Sequence, residues 1–262
     1  MQEHQYERLR PAQVVEKRRE CPVAYLPIGN LEWHGEHNPL GLDTLRMNGV
    51  LLRCAEKIGG LVFPPLYYGD NREQALMEAN AQDRDQIHLK MELPSSNFAP
   101  GYMYRTIAEQ NDMYHQLLIH IIFEIASLGF KVIVIGAGHY PLIDHARAAI
   151  GVAHQSLKRQ RKALAWTFTG YELVRDIFEG AGDHGGKWET SMLMALEPGL
   201  TDMSCLPKDL NETIIGISHN GVQQSTREYG EKIVAAIVER VAVKVRDMLE
   251  NFDNYLGHGA PM

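Results

Sequence analysis

Five residues able to bind a metal ion or move a proton, Glu32, His34, Glu36, His37 and Asp43, crowd into one short stretch after an apolar run at 23–28. In an extended segment side chains alternate faces, so Glu32 and His34 point the same way while Trp33 points opposite. Gly35, Pro39 and Gly41 favour turns, which lets the chain double back and bring Asp43 to the same point. One imidazole and two carboxylates, one of them able to bridge, suit Zn²⁺, Mn²⁺ or Fe²⁺ far better than Ca²⁺. The competing reading of these residues is a solvated polar loop following a strand.

The ordering Glu32-Trp33-His34-Gly35-x-His37-x-Pro39-Leu40-Gly41-x-Asp43 resembles the N-terminal signature of the creatininase (creatinine amidohydrolase) family. That resemblance implies that Glu32, His34 and Asp43 are metal ligands, with Asp43 bridging two ions. Gly138-His139-Tyr140 resembles the start of the family's second signature, which implies a metal-binding role for His139 and a place in the substrate pocket for Tyr140. There the match stops: where creatininase has a metal-binding Glu two residues after the His, this chain has Pro141, and Leu142 replaces the Asn that follows. A third patch at 182–191, Gly-Asp-His-Gly-Gly-Lys-Trp-Glu-Thr-Ser, resembles the family's His-Gly-Gly/Ala-x-x-Glu-Thr-Ser element. It implies that His184 carries a proton in the active site and that Glu189 replaces the missing ligand. A plainer role for Glu189 is to cap the positive N-terminus of the next helix.

The family's fold is a three-layer α/β/α sandwich with a mostly parallel central sheet, usually assembled as a homo-oligomer, a hexamer or a smaller multiple of a dimer. Two divalent ions per chain follow from the resemblance, zinc favoured, with manganese or iron as alternatives. Glu32, Asp43 and His139 would hold one ion, and His34, Asp43 and Glu189 the other. Such a pair lowers the pKa of a shared water, so that a metal-bound hydroxide attacks an amide carbon while His184 passes a proton to the leaving nitrogen. His37 and Asp183 are candidates for orienting the ligands from behind. The expected substrate is a small cyclic or formylated amide. Creatinine itself is the lesser choice, because Gly180 and Ala181 stand where creatininase has a Trp and an acid that enclose it. Trp166 and Trp188 are expected in the core, and the other histidines, His88, His115, His120, His145, His154, His219 and His258, read as ordinary loop or helix residues. An alternative is an oligomeric binding protein with one metal or none, Pro141 marking a decayed site. Against it, clustered acids without an ion repel one another. A nucleotide-binding reading of 136–138 fails because no third glycine opens the helix.

The elements that must position these residues alternate between strand and helix, which makes a parallel α/β architecture the economical one. Strands are expected at 21–28, 61–67, 131–135 and 163–169. The second carries prolines that confine it to an edge or to a short piece. Helices are expected at 11–19, 45–58, 105–128, 141–160, through Met192 and Leu196, and from a capping box at Ser225 and Glu228 towards Glu250. The 105–128 helix is apolar almost all round in its C-terminal half, as for a helix sandwiched in the core or buried between subunits. Residues 200–222 are irregular with one short strand at most. One domain spanning 1–262 is expected, with a lid or subunit-contact excursion at 70–104.

Composition is that of an ordinary globular protein: 262 residues, 45% apolar, 23% charged. The net charge of −7 argues against nucleic acid or an anionic membrane as the main partner. The basic cluster at 158–162 reads as a solvated helix end. Three widely spaced cysteines, a polar N-terminus and the lack of a long apolar run make the cytoplasm the expected location.

Overall fold

The computed structural model describes residues 3–69, 83–99, 101–209, 212–218 and 221–257. Four strands, β1 (Val23–Ile28), β2 (Leu61–Val62), β3 (Val132–Ala137) and β4 (Leu164–Thr169), form one parallel sheet in the order β2-β1-β3-β4. Registers such as Tyr25 opposite Val134 and Val134 opposite Trp166 align the C-terminal ends of the three long strands.

Period-two alternation divides the strand side chains between two cores. Val23, Tyr25, Val132, Val134, Leu164, Trp166 and Phe168 face one core, together with α2 (Leu42–Ile58), α6 (Lys187–Leu196) and α7 (Arg227–Glu250). Ala24, Leu26, Ile28, Ile133, Ile135 and Ala165 face the other, against α4 (Ile107–Ser127) and α5 (Leu142–Leu157). Because both faces are covered, the strands read as continuous apolar runs. The fold is therefore the expected α/β/α sandwich, preceded by α1 (Pro11–Glu20). Trp166 and Trp188 are buried, as the sequence suggests.

Several boundaries differ from the sequence reading. Helix α2 begins at Leu42 rather than at 45, since buried Leu42 packs inward and Asp43 joins the first turn. Strand β2 ends before Pro64 and Pro65, and only Leu66 bridges back to Ile28. Within the 70–104 excursion lie α3 (Arg84–Lys90) and a 3-10 turn at Ser95–Phe98, while residues 70–82 fall outside the described residues. Helix α7 is capped by Thr226, whose hydroxyl accepts from Tyr229 N, so Ser225 and Glu228 form no capping box. Helix α4 buries Tyr114, Leu118, Ile122 and Ile125 but exposes Met113, Leu117 and Phe123, so it is not sandwiched in the core. Among the described residues of 200–222 there is no strand, only an antiparallel bridge from Ser218 to His184. The basic turn after α5 is solvated, as expected. No described helix is long and apolar enough to cross a membrane.

Two buried contacts give direct tests. Gly230 of α7 lies against α6, where an added Cβ would overlap Ser191 O. Gly230→Ala should lower unfolding free energy by about 3 kcal/mol in urea titrations, an overpacking cost. His154, a buried residue of α5, accepts at Nε2 from Ala165 N of β4 at 2.8 Å, and burial pulls its pKa down to about 4. The unfolded chain therefore binds a proton at His154 that the folded chain refuses, and stability falls as pH drops from about 6.5 towards 4. His154→Gln should flatten that part of the stability profile.

Candidate active site

At the C-terminal edge of the sheet, the segments after β1 and β3 are tied together by Gly138 N donating to Ile28 O at 2.8 Å. The segment after β1 carries Glu32 and His34, with Glu32 N donating to Leu40 O. His34 Nδ1 sits 3.1 Å from Glu32 O, which fixes the ring as a donor there and turns Nε2 towards Asp43 Oδ1, 3.2 Å away. Asp43 comes from the first turn of α2, His139 from just beyond β3 and Glu189 from the first turn of α6. His139 Nδ1 is 2.9 Å from Glu32 Oε2 and 3.3 Å from Asp43 Oδ2. Glu189 Oε2 is 3.7 Å from His34 Nε2 and also accepts from Gly185 N at 3.0 Å. Glu189 thus helps satisfy the loop before α6 while remaining in the cluster, from which Pro141 contributes no donor.

All five candidate ligands are buried, Glu32, His34 and Asp43 to within 2% of complete. Their ligand atoms, joined by one of His184, fall into triads lying within 4.8 Å: Glu32, Asp43 and His139; His34, Asp43 and Glu189; and Glu32, His34 and His184. Asp43 belongs to the first two. Both oxygens of Glu32 and Oδ2 of Asp43 are buried without a hydrogen-bond donor of proper geometry, a condition that costs on the order of 1–3 kcal/mol each unless a cation meets them. The donor set therefore fits one or two borderline divalent ions.

Charge governs the titration of the cluster. Burial opposes protonation of His34, but Asp43, Glu189 and Glu32 outweigh it and push the imidazole up to about 10. His139 is likewise held well above its ordinary value by Asp43 and Glu32 against the effect of burial. Burial would raise Asp43 and Glu32, yet the two imidazoles keep both carboxylates low. The pocket demands positive charge.

His184 lies against His34 with ring centres 4.2 Å apart and ring planes tilted by 32°, and its Nε2 is 2.9 Å from Trp33 O. Burial, and then the nearby charge of His34, lower its pKa. Gly185 adopts φ +62°, and a Cβ there would press on Ile217 and His34 O, so glycine is needed for this approach. Asp183 caps α6, its oxygens accepting from Trp188 N at 2.7 Å and Glu189 N at 3.1 Å. Burial, with the charge of Glu189, raises it to about 6. His37 is buried but touches none of the five: it contacts Thr190 Oγ1 at 3.1 Å, next to Glu189. Glu36 is exposed and pairs with Lys90.

A cavity of about 460 Å³ opens beside the cluster. Tyr140 stands half-exposed at its wall, 5.5 Å ring to ring from Tyr171. Tyr171 and Arg46 both line the cavity and were missed by sequence reasoning. Arg46 lies one turn after Asp43, a spacing that would have revealed it had α2 been started at Leu42. Ala181 also lines the cavity, whereas Gly180 does not.

The fold and site define a class: an α/β sandwich protein with a buried histidine–carboxylate cluster of metal-binding type at the C-terminal edge of its sheet. The family model described as "Creatininase: Creatinine amidohydrolase" matches residues 7–245, and the chain belongs to the creatininase family. It is 26% identical over 252 residues to the creatinine amidohydrolase of Pseudomonas putida, covering 86% of this chain and 89% of that one. It is 24% identical over 190 residues to the 3-dehydro-scyllo-inosose hydrolase of Thermotoga maritima, covering 71% of this chain and half of that protein. A creatininase structure named for Mn superposes with a TM-score of 0.70 at 23% identity, over 94% of this chain and 98% of that one. A creatininase variant complexed with creatine gives the same values.

Gly138 sets how closely α2 approaches β3, since an added Cβ would overlap Asp43 O. Gly138→Ala should displace Asp43 and lower the unfolding free energy by about 3 kcal/mol in urea titrations, while circular dichroism still reports the folded sandwich.

Proposed function

We propose that this protein is a metal-dependent amidohydrolase that cleaves the C–N bond of a small cyclic or formylated amide. The observation that carries the reading is the sharing of Asp43 between two buried triads, Glu32/Asp43/His139 and His34/Asp43/Glu189. Membership of the creatininase family supports it. Two ions held there, zinc with manganese or iron as alternatives, would polarise a substrate carbonyl and acidify a water. Creatininase structures named for Mn and of Zn-Zn type support that choice of metals.

The chain's own residues supply the rest. His184, anchored by Trp33 O and with its pKa lowered by burial, takes a proton and delivers it to the leaving nitrogen. Asp183 and the Gly185 amide hold the first turn of α6 and thus Glu189, while His37 steadies the same helix through Thr190. Tyr140 and Tyr171 offer an aromatic wall to a planar amide. Creatinine itself is disfavoured by Gly180 and Ala181, and the inosose hydrolase relative supports a family able to serve other substrates. The competing reading is an oligomeric binding protein with one ion or none, favoured by the guanidinium of Arg46 beside Glu189.

Elemental analysis of protein purified without chelator should find two ions per chain in the wild type, falling towards one in Glu189→Ala. One ion or none in the wild type, unchanged by the substitution, sinks the two-ion mechanism. In a screen of cyclic and N-formyl amides, His184→Ala should lower kcat by about 100-fold or more with metal content unchanged.

A further inference from the structure

Among the described residues of the 70–104 excursion, none lines the cavity. They pack instead behind the ligand-bearing segment, on Trp33, which stands between Glu32 and His34. The indole is buried with Ile87 of α3 and Phe98 of the 3-10 turn, in a small core separate from the two under the sheet. Its Nε1 donates to Ile215 O at 3.0 Å, and the Gly216 backbone lies so close that an added Cβ would overlap the ring. Gly216 N donates in turn to Asp83 Oδ2, just before α3, at 2.9 Å. Two residues on, Ser218 N donates to His184 O at 2.9 Å, and the Ser218 hydroxyl accepts from His184 N at 3.0 Å. The circuit closes at Trp33 itself, whose carbonyl accepts from His184 Nε2 at 2.9 Å.

We propose that Trp33 is a positioning residue for His184: α3 and the 215–218 segment seat its indole, and its carbonyl thereby fixes the orientation and tautomer of the proton carrier. This inference rests on the reading of His184 as that carrier. A carbonyl only accepts, so the neutral ring must hold its proton on Nε2 and its lone pair at Nδ1. Nδ1 is then the atom that takes a proton from the attacking water and passes it to the leaving nitrogen, which returns the ring to the same tautomer. The ring cannot turn over without giving up the Trp33 bond. Both anchors of His184, Trp33 O on its ring and Ser218 on its backbone, belong to segments packed at one indole, so displacing α3 loosens them together.

A space-filling Trp33 behaves differently. Unseating its indole would then lower stability and leave the His184 ring as it was. The small core that holds the indole shares no residue with the two cores of the sandwich, so it can be loosened while the sheet and its helices stay folded.

The test uses full-length Zn²⁺-loaded protein with isotope-labelled histidine, as wild type and as Asp83→Ala/Ile87→Ala, which alters the seat without altering His184 or its hydrogen-bond partners. Proton–nitrogen correlation NMR should show His184 as one Nε2–H tautomer in the wild type. In the double variant it should show a mixture of tautomers, with faster hydrogen exchange across 83–99 and 212–218. Ile87→Leu, which refills the seat, should keep the wild-type tautomer. On an amide that the screen above finds to be cleaved, the double variant should lose about 10- to 100-fold in kcat, with KM and Zn²⁺ content unchanged. Faster exchange in the double variant with His184 still wholly Nε2–H overturns the proposal, as does an Nδ1–H tautomer in the wild type. A tautomer that shifts as expected while His184→Gln keeps full kcat sustains the link from Trp33 to His184 and overturns the proton-carrier reading instead. Should the double variant fail to fold, Ile87→Ala alone carries the same expectation.

Discussion

Three carboxylates, Glu32, Asp43 and Glu189, are held together out of water, and the rest of this end of the molecule is arranged around their repulsion. Carboxylates at such separations persist only with compensating positive charge. The chain provides two imidazoles and one guanidinium among them, and the backbone amide of Gly185 adds a dipole. The imidazoles are conditional cations, charged only while protonated. The guanidinium is permanent, and it sits on Glu189 with Asp43 4.0 Å away.

The positions of the acids are set by backbone approach more than by the acids themselves. Gly138 lets α2 lie against the end of β3, which brings Asp43 and Arg46 into line with His139. Gly185 does the same between the segment before α6 and His34. Both cores underneath are built of buried apolar side chains, so these approaches rest on a sheet covered on both faces.

Much of this was legible in the sequence, because strands buried on both faces leave continuous apolar runs and because glycine and proline mark where such runs end. The β3 run and the residues of three separate patches were readable in that way. What was not legible depended on tertiary choices. Helix α2 starts at Leu42 because that side chain finds a core to fill, and the earlier start is what places Arg46 on the face of Asp43. Thr226 rather than Ser225 caps α7, two adjacent residues with the same capping chemistry. Tyr171 joins the cavity through a turn after β4 that carries no local signal, and α4 exposes one side although its composition suits burial on all sides.

The residues of the two triads arrive at different times during synthesis. Glu32, Asp43 and His139 are all present once β3 and the turn after it have left the ribosome, whereas the second triad waits for Glu189 at the start of α6. A nascent chain can thus pair β1 with β3 and bring the first triad together before the helices that complete its first core, α6 and α7, exist. The central strands can therefore be in register, with the first triad already set, while α6 and α7 are still being made.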